Sequence, residues 1–303
     1  MALSRRTRRK ETGLAAVMLA PSLAVLGLFV LYPLGKAIWL GHQRCNSQGK
    51  ACKSNGWDQY TDVLRSPEFH HALIVTTKFA LLTVPLGLVL GVGLAVLADR
   101  YLRGIGIFRT IFSSTVATSI AVASLMWLFL LQPSTGALAR VGWITRLFPV
   151  IKTGLLSDKG TALTAVAMSS VWANLGFTFI VVTAGLQSIP RDLYESAFVD
   201  GAGGWRRFTN VTIPMLGPTL LFASVVLVSR AFQAYGEVDL LTDGGPQPQG
   251  STTTLTYLIY GNESTIRNND GLQATTAVLL FVVLLVLSAV QFRSFDKRVH
   301  YAS

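Results

Sequence analysis

Charge is scarce in this 303-residue chain: Asp, Glu, Lys and Arg make up 14% of it, against 51% hydrophobic residues. An ordinary soluble domain is roughly a quarter charged, so this composition excludes a solvated globular surface. The four histidines, His42, His70, His71 and His300, form no cluster with metal-ligand spacing. His70 and His71 stand at a membrane boundary and read as interfacial. Two cysteines are too few for a disulfide scaffold. No Gly-x4-Gly-Lys-Ser/Thr loop is present to cradle phosphates, so ATP chemistry is not expected of this chain. The alternating pattern of a membrane β-barrel is absent as well.

What the chain has is long apolar runs. Six stand out: Leu14–Leu34, Ala72–Ala98, Ile107–Leu131, Thr161–Gly185, Met215–Tyr235 and Leu272–Gln291. Each is near or above the ~20 residues a helix needs to cross the hydrocarbon core. Helices satisfy their own backbone groups, which lipid cannot do. The expected fold is therefore an all-α membrane protein with six transmembrane helices: a basic N-terminal segment at 1–13, a transmembrane domain at 14–292 and a C-terminal segment at 293–303. Gly87-x3-Gly91 marks close helix packing in the second span.

The net charge of +11 is distributed by topology. Arg5, Arg6, Arg8, Arg9 and Lys10 precede the first span. Arg100 and Arg103 follow the second, Arg109 stands at the start of the third, and Arg191, Arg206 and Arg207 lie between the fourth and fifth. Arg293, Lys297 and Arg298 follow the sixth. If the spans alternate, all of these fall on one side, and the positive-inside rule makes that side cytoplasmic, with both termini inside. The partner for this charge is the lipid bilayer, not nucleic acid. The N-terminus resembles a signal peptide, but its apolar run is too long and no small-x-small site follows, so it reads as a retained span. Cys45 and Cys52 share the first external loop. An oxidising compartment permits a disulfide there, with two free thiols as the alternative. Asp243-Gly244-Gly245-Pro246 signals a tight external turn, followed by an amphipathic stretch, Leu255–Tyr260, expected to lie against the bundle.

The internal loop at 186–214 is too polar for hydrocarbon. Pro190 suits a first helical turn, and Asp192 and Glu195 suit the positive end of the helix dipole. Leu193, Ala197 and Phe198 share a face. Gly201 stands where the helix must end and the chain must turn. Trp205, Phe208 and Val211 continue at helical spacing, and Pro214 is expected to open the fifth span. The segment reads either as an interfacial helix or as a contact for a soluble partner.

Glu195-Ser196-Ala197, Gly201 six residues after Glu195, and Val211-Thr212-Ile213-Pro214 resemble the EAA motif of ABC importer permeases. Leu31-Tyr32-Pro33, expected to close the first span, Phe108-Arg109-Thr110-Ile111, Gly185 to Pro190 and Leu241 to Pro246 are similar to the binding-protein-dependent sugar and glycerol-phosphate branch of that family. The likeness covers most of 14–295. It departs at Ser113-Ser114-Thr115, where the family has a Leu-Pro pair, which puts a kink there in doubt. The resemblance implies a type I importer permease fold with a cytoplasmic coupling helix and a second permease completing the path. Two cytoplasmic ATPase subunits would bind ATP and Mg, and an extracytoplasmic solute-binding protein would deliver the solute. Carried over, Glu195, Ser196, Ala197, Asp200, Gly201 and Pro214 form the ATPase-coupling segment. The implied location is the bacterial cytoplasmic membrane.

Ionisable residues inside spans are costly and often functional. Lys78 and Arg230 either snorkel or form an anion-attracting pair. Trp172, Asn174, Gln233 and Glu237 stand at depths suited to a polyol or sugar, though polar packing explains Asn174 equally well. The cations lean toward an anionic solute such as glycerol 3-phosphate or a glycerophosphodiester, with trehalose or maltose as the alternative. An ion-coupled secondary transporter would want carboxylates within the spans, and these spans hold almost none.

Overall fold

The computed structural model describes residues 5–45, 52–54, 56–99, 104–133, 136–141, 154–245 and 250–296. Arg100, Arg103, Pro246, Lys297, Arg298 and His300 lie outside the described residues, as do the side chains of Arg5 to Lys10, Cys45 and Cys52. The chain divides into two compact units, residues 1–64 with 268–279, and residues 65–267 with 280–303.

In the first unit, α1 (Arg5–Leu26) runs through a π-helical turn (Gly27–Leu31) into α2 (Tyr32–Gly41). The first span is thus longer than expected, Leu14–Gly41. Pro33 does not close it. The Pro33 ring crowds the carbonyl four residues back, that of Phe29, and the wider π turn holding Phe29 absorbs the mismatch. A two-stranded hairpin not anticipated in an all-α reading follows, with β1 (Gln43–Cys45) antiparallel to β2 (Cys52–Ser54) and Cys45 opposite Cys52. Helix α3 (Asp58–Arg65) comes next. Gln59 Nε2 donates to Thr275 Oγ1 at 2.9 Å, and the Tyr60 hydroxyl donates to the Ile38 carbonyl at 3.1 Å.

The second unit is built on α4 (Pro67–Ala98) and α8 (Ala162–Gln187). Helix α4 starts before the apolar run because Ser66 caps it, accepting from Phe69 N at 3.2 Å, with Pro67 in the first turn. Gly87 and Gly91 face inward, where a Cβ on Gly91 would collide with Thr178 of α8. This is the close packing that small residues permit.

The third span is not one helix. Helix α5 (Ile105–Ser114), a 3₁₀ turn (Thr115–Ala117) and α6 (Ile120–Leu131) are bent by 106°. The kink that the missing Leu-Pro pair put in doubt is present, made by other residues. Thr118 is extended (φ −80°, ψ 125°), and Ser119 caps α6 by accepting from Val122 N at 3.3 Å. The bend packs on Gly176 of α8, where any Cβ would press on the Val116 amide and the Phe112 carbonyl. Helix α7 (Ala137–Arg140) follows. Arg109 bonds the end of α4, with Nε and Nη2 donating to the Ala98 carbonyl at 3.1 and 2.8 Å. A cation suits this helix terminus.

The internal loop forms α9 (Arg191–Val199), α10 (Gly204–Arg207), a π turn (Phe208–Thr212) and α11 (Ile213–Met215). Helix α12 (Gly217–Phe232) is bent by 66° from that return leg. Pro214 therefore lies within the return leg and does not open the fifth span, which begins at Gly217 with Pro218 in its first turn and ends before Gln233. The same device recurs here. The carbonyl four residues before Pro214 belongs to Asn210, inside the π turn.

Helices α13 (Gly236–Thr242) and α14 (Leu255–Tyr260) follow. Leu255 to Ile259 are all buried, so α14 is embedded rather than merely resting on the bundle. Thr254 caps it, Thr256 donates to the Phe232 carbonyl at 2.8 Å, and Leu255 N donates to Thr76 Oγ1 at 2.9 Å. Helix α15 (Asp270–Asp296) closes the chain. By length and composition the described residues hold four membrane-crossing helices, or six when each bent pair counts as one span.

Candidate functional site: a capped loop helix and a polar network

Two sites carry the predicted residues. The first is α9. Glu195, Ser196 and Asp200 are exposed and Ala197 is half-buried. The helix ends in a Schellman motif: Ala202 N donates to the Ala197 carbonyl at 2.9 Å and Gly201 N to the Phe198 carbonyl at 3.0 Å. Gly201 has φ +71°, as this motif requires. Phe198 and Val199 are 69% and 84% exposed, so the helix presents apolar surface outward. Pro214 is on the return leg, apart from this exposed helix in sequence. Two contacts that the sequence reading did not anticipate hold the loop together. The Tyr194 hydroxyl lies 3.1 Å from Thr212 Oγ1, and the Arg207 guanidinium sits 5.7 Å from the Phe198 ring centroid.

The second site joins three of the six path residues. Arg230 Nη1 donates to Asn174 Oδ1 at 2.7 Å. Asn174 Nδ2 donates to the Ser170 carbonyl at 2.8 Å, and Ser170 Oγ donates to Glu237 Oε1 at 3.2 Å. The Arg230 guanidinium also lies 4.5 Å from the Phe177 ring centroid, within cation–π range. Because the Asn174 amide donates backward along its own helix, its oxygen is left to face Arg230. Glu237 is buried, and burial pushes its carboxyl up from the ordinary range, opposed by the Ser170 hydrogen bond. Arg230 is exposed, at the edge of the network.

The other three path residues are placed differently. Lys78 is exposed and points away from the face of α4 that holds Thr83, Val84 and Gly87, residues that approach Ser170 and Asn174. Gln233 is exposed at the C-cap of α12, and Trp172 is half-buried on α8. Ser170 and Phe177 were missed in the sequence reading. Their spacing from Asn174, four residues before and three after, places them on its face and could have found them. A cavity of about 500 Å³ between α6 and α13, lined by Gln132, Ser157, Asp239 and Asp243 among others, contains none of the predicted path residues. Among the described residues no group of three or more His, Cys, Asp or Glu could hold a metal ion.

Residues 83–301 match the model of the family described as binding-protein-dependent transport system inner membrane component. The chain is 34% identical over 286 residues to an sn-glycerol-3-phosphate transport system permease protein of Agrobacterium fabrum, covering 94% of this chain and 95% of that one. It is 31% identical over 295 residues to its counterpart in Pectobacterium atrosepticum, covering 96% and 97%. Its fold is similar to that of a chain in the crystal structure of a bacterial ABC transporter involved in the import of the acidic polysaccharide alginate. That match has a TM-score of 0.76 at 24% identity and covers 97% of this chain and 99% of that chain. A multi-pass helical bundle, an exposed loop helix ending at Gly201 and a family match over residues 83–301 lead to one conclusion: the chain belongs to the inner-membrane permeases of binding-protein-dependent ABC importers, and its role is transport rather than catalysis.

Proposed function

We propose that this permease carries glycerol 3-phosphate or a glycerophosphodiester, and that it works paired with a second, different permease. Two cytoplasmic ATPase subunits bind ATP and Mg and receive α9. An external binding protein delivers the solute. Both termini and the α9 loop lie in the cytoplasm, the side favoured by the clustered arginines and lysines. The observation that carries the coupling role is α9 itself, a Schellman-capped helix whose Phe198 and Val199 are exposed. An exposed apolar surface on an otherwise polar loop suits a protein groove.

For the solute, the supporting observation is Arg230. Its guanidinium is held in place by Asn174 and Phe177, and among the described residues it pairs with no carboxylate. An oriented guanidinium suits a phosphate, which takes parallel N–H donors. The relatives' description as glycerol-3-phosphate permeases points the same way. The test is uptake into liposomes containing both permeases and both ATPases, with the binding protein outside. Radiolabelled glycerol 3-phosphate should enter only with internal ATP. Entry driven by an ion gradient without ATP would overturn the importer reading, and preferential entry of trehalose or maltose would overturn the solute.

The hairpin supports a disulfide between Cys45 and Cys52. Directly opposed residues in an antiparallel pair have Cα atoms about 4.5–5.5 Å apart, inside the range a disulfide spans. Alkylation of the purified protein should label neither cysteine until a reductant is added. Labelling without reductant would mean free thiols.

A further inference from the structure

We propose that Tyr194 is the positioning residue through which α9 moves the membrane helices, acting by its hydrogen bond to Thr212. The proposal rests on the coupling role assigned to α9 above and names the side chain that transmits it. Apart from the half-buried Ala197, Tyr194 is the one residue of α9 that is not exposed. It packs against a cluster formed by Ala95 and Ala98 at the end of α4, Phe179, Val182 and Leu186 of α8, Ile189, and Leu216 at the bend into α12. That cluster draws on α4, α8 and the bend into α12, and of these α8 carries Asn174 and α12 carries Arg230.

The hydroxyl adds what packing alone does not. Its partner, Thr212, is buried in the π turn of the return leg. The bond therefore joins the outgoing helix to the returning one across 18 residues, with a rigid ring of only two rotatable bonds as the link. Gly201 gives the loop its turn, but a glycine hinge alone lets the two legs rock against each other. With Tyr194 and Thr212 joined, a push on α9 reaches the bend at Leu216 as the displacement of one body. The second contact, Arg207 over the exposed Phe198, is longer and involves no hydrogen bond, so the hydroxyl pair is the stiffer tie.

The experiment uses the complete transporter in liposomes and measures radiolabelled glycerol 3-phosphate taken up per ATP hydrolysed. Tyr194→Phe and Thr212→Val should each lower that ratio about fivefold, and the double variant should be no worse than either single one, because both remove the same bond. Thr212→Ser keeps a hydroxyl and should stay within about twofold of the parent. Hydrogen exchange provides a reading that needs no solute. Peptides covering 191–202 and 208–216 should exchange severalfold faster in Tyr194→Phe and Thr212→Val, but not in Thr212→Ser. Unchanged exchange and coupling in the first two variants would overturn the tie. So would an equal loss in Thr212→Ser, or losses that multiply in the double variant. If Gly201→Val uncouples the transporter while Tyr194→Phe does not, the tie fails and the coupling role of α9 stands. If neither does, that role fails too.

Discussion

A Gly201→Val variant should lose at least tenfold of its ATP-driven uptake. The cause is conformational rather than steric. A Cβ at Gly201 would meet no atom within 4 Å, but the backbone there sits at φ +71°. An L-residue in that region costs about 1–2 kcal/mol, and more when β-branched. The Schellman bonds from Gly201 and Ala202 depend on that conformation. Valine relaxes it, the bonds are lost, and α9 frays or re-aims its exposed Phe198 and Val199. A penalty of about 1.4 kcal/mol lowers the ratio of correctly formed to frayed loops tenfold. Uptake and ATP hydrolysis measured together on reconstituted transporter check this, with Gly201→Asn as the companion variant. Asparagine tolerates the left-handed region and should retain most of the function. Full activity in Gly201→Val would show that the turn has no part in coupling.

The second large effect is expected at Arg230. Arg230→Ala should reduce uptake of an anionic solute roughly tenfold to a hundredfold, in line with the 1.5–3 kcal/mol of a hydrogen bond to a charged group. A neutral solute should lose less than about threefold. The alanine variant also leaves Asn174 Oδ1 without its donor, which adds a small general penalty. Arg230→Lys separates the two effects. A single ammonium cannot hold Asn174 and offer parallel donors to a phosphate at once, so lysine should restore the charge but only part of the uptake. Competition for uptake between glycerol 3-phosphate and glycerol gives the measurement. Equal losses for both would make Arg230 a structural residue.

Much of the architecture was legible in advance because its signals are local. Long apolar runs mark the spans whatever surrounds them, and Gly201 with Glu195 carries its meaning in spacing alone. The bends were not legible. At Ser113-Ser114-Thr115 the absence of a proline argued against a kink, yet Ser119 caps a new helix there and Gly176 gives the bend a surface to pack on. Pro33 and Pro214 looked like helix boundaries, yet a π turn carries the helix past each. In both cases the outcome depends on whether neighbouring atoms accept the displaced backbone, which a single strand of sequence does not record.

The polar residues divide along the same line. The cost of placing an ionisable group in hydrocarbon belongs to the residue itself, and that cost alone singled out Lys78 and Arg230. Their grouping belongs to the packing. The packing of α12 and α13 on α8 brought Ser170, Asn174, Arg230 and Glu237 into one hydrogen-bonded chain and left Lys78 outside, on the far side of its helix. The sequence by itself thus determined that this chain is a helical membrane protein with one polar internal loop, because apolar length and charge asymmetry are properties of the chain. Only the tertiary structure decided where its spans bend, which polar groups meet and how Tyr194 joins the loop to the bundle, because hydrogen bonds and close packing exist only once distant segments share space.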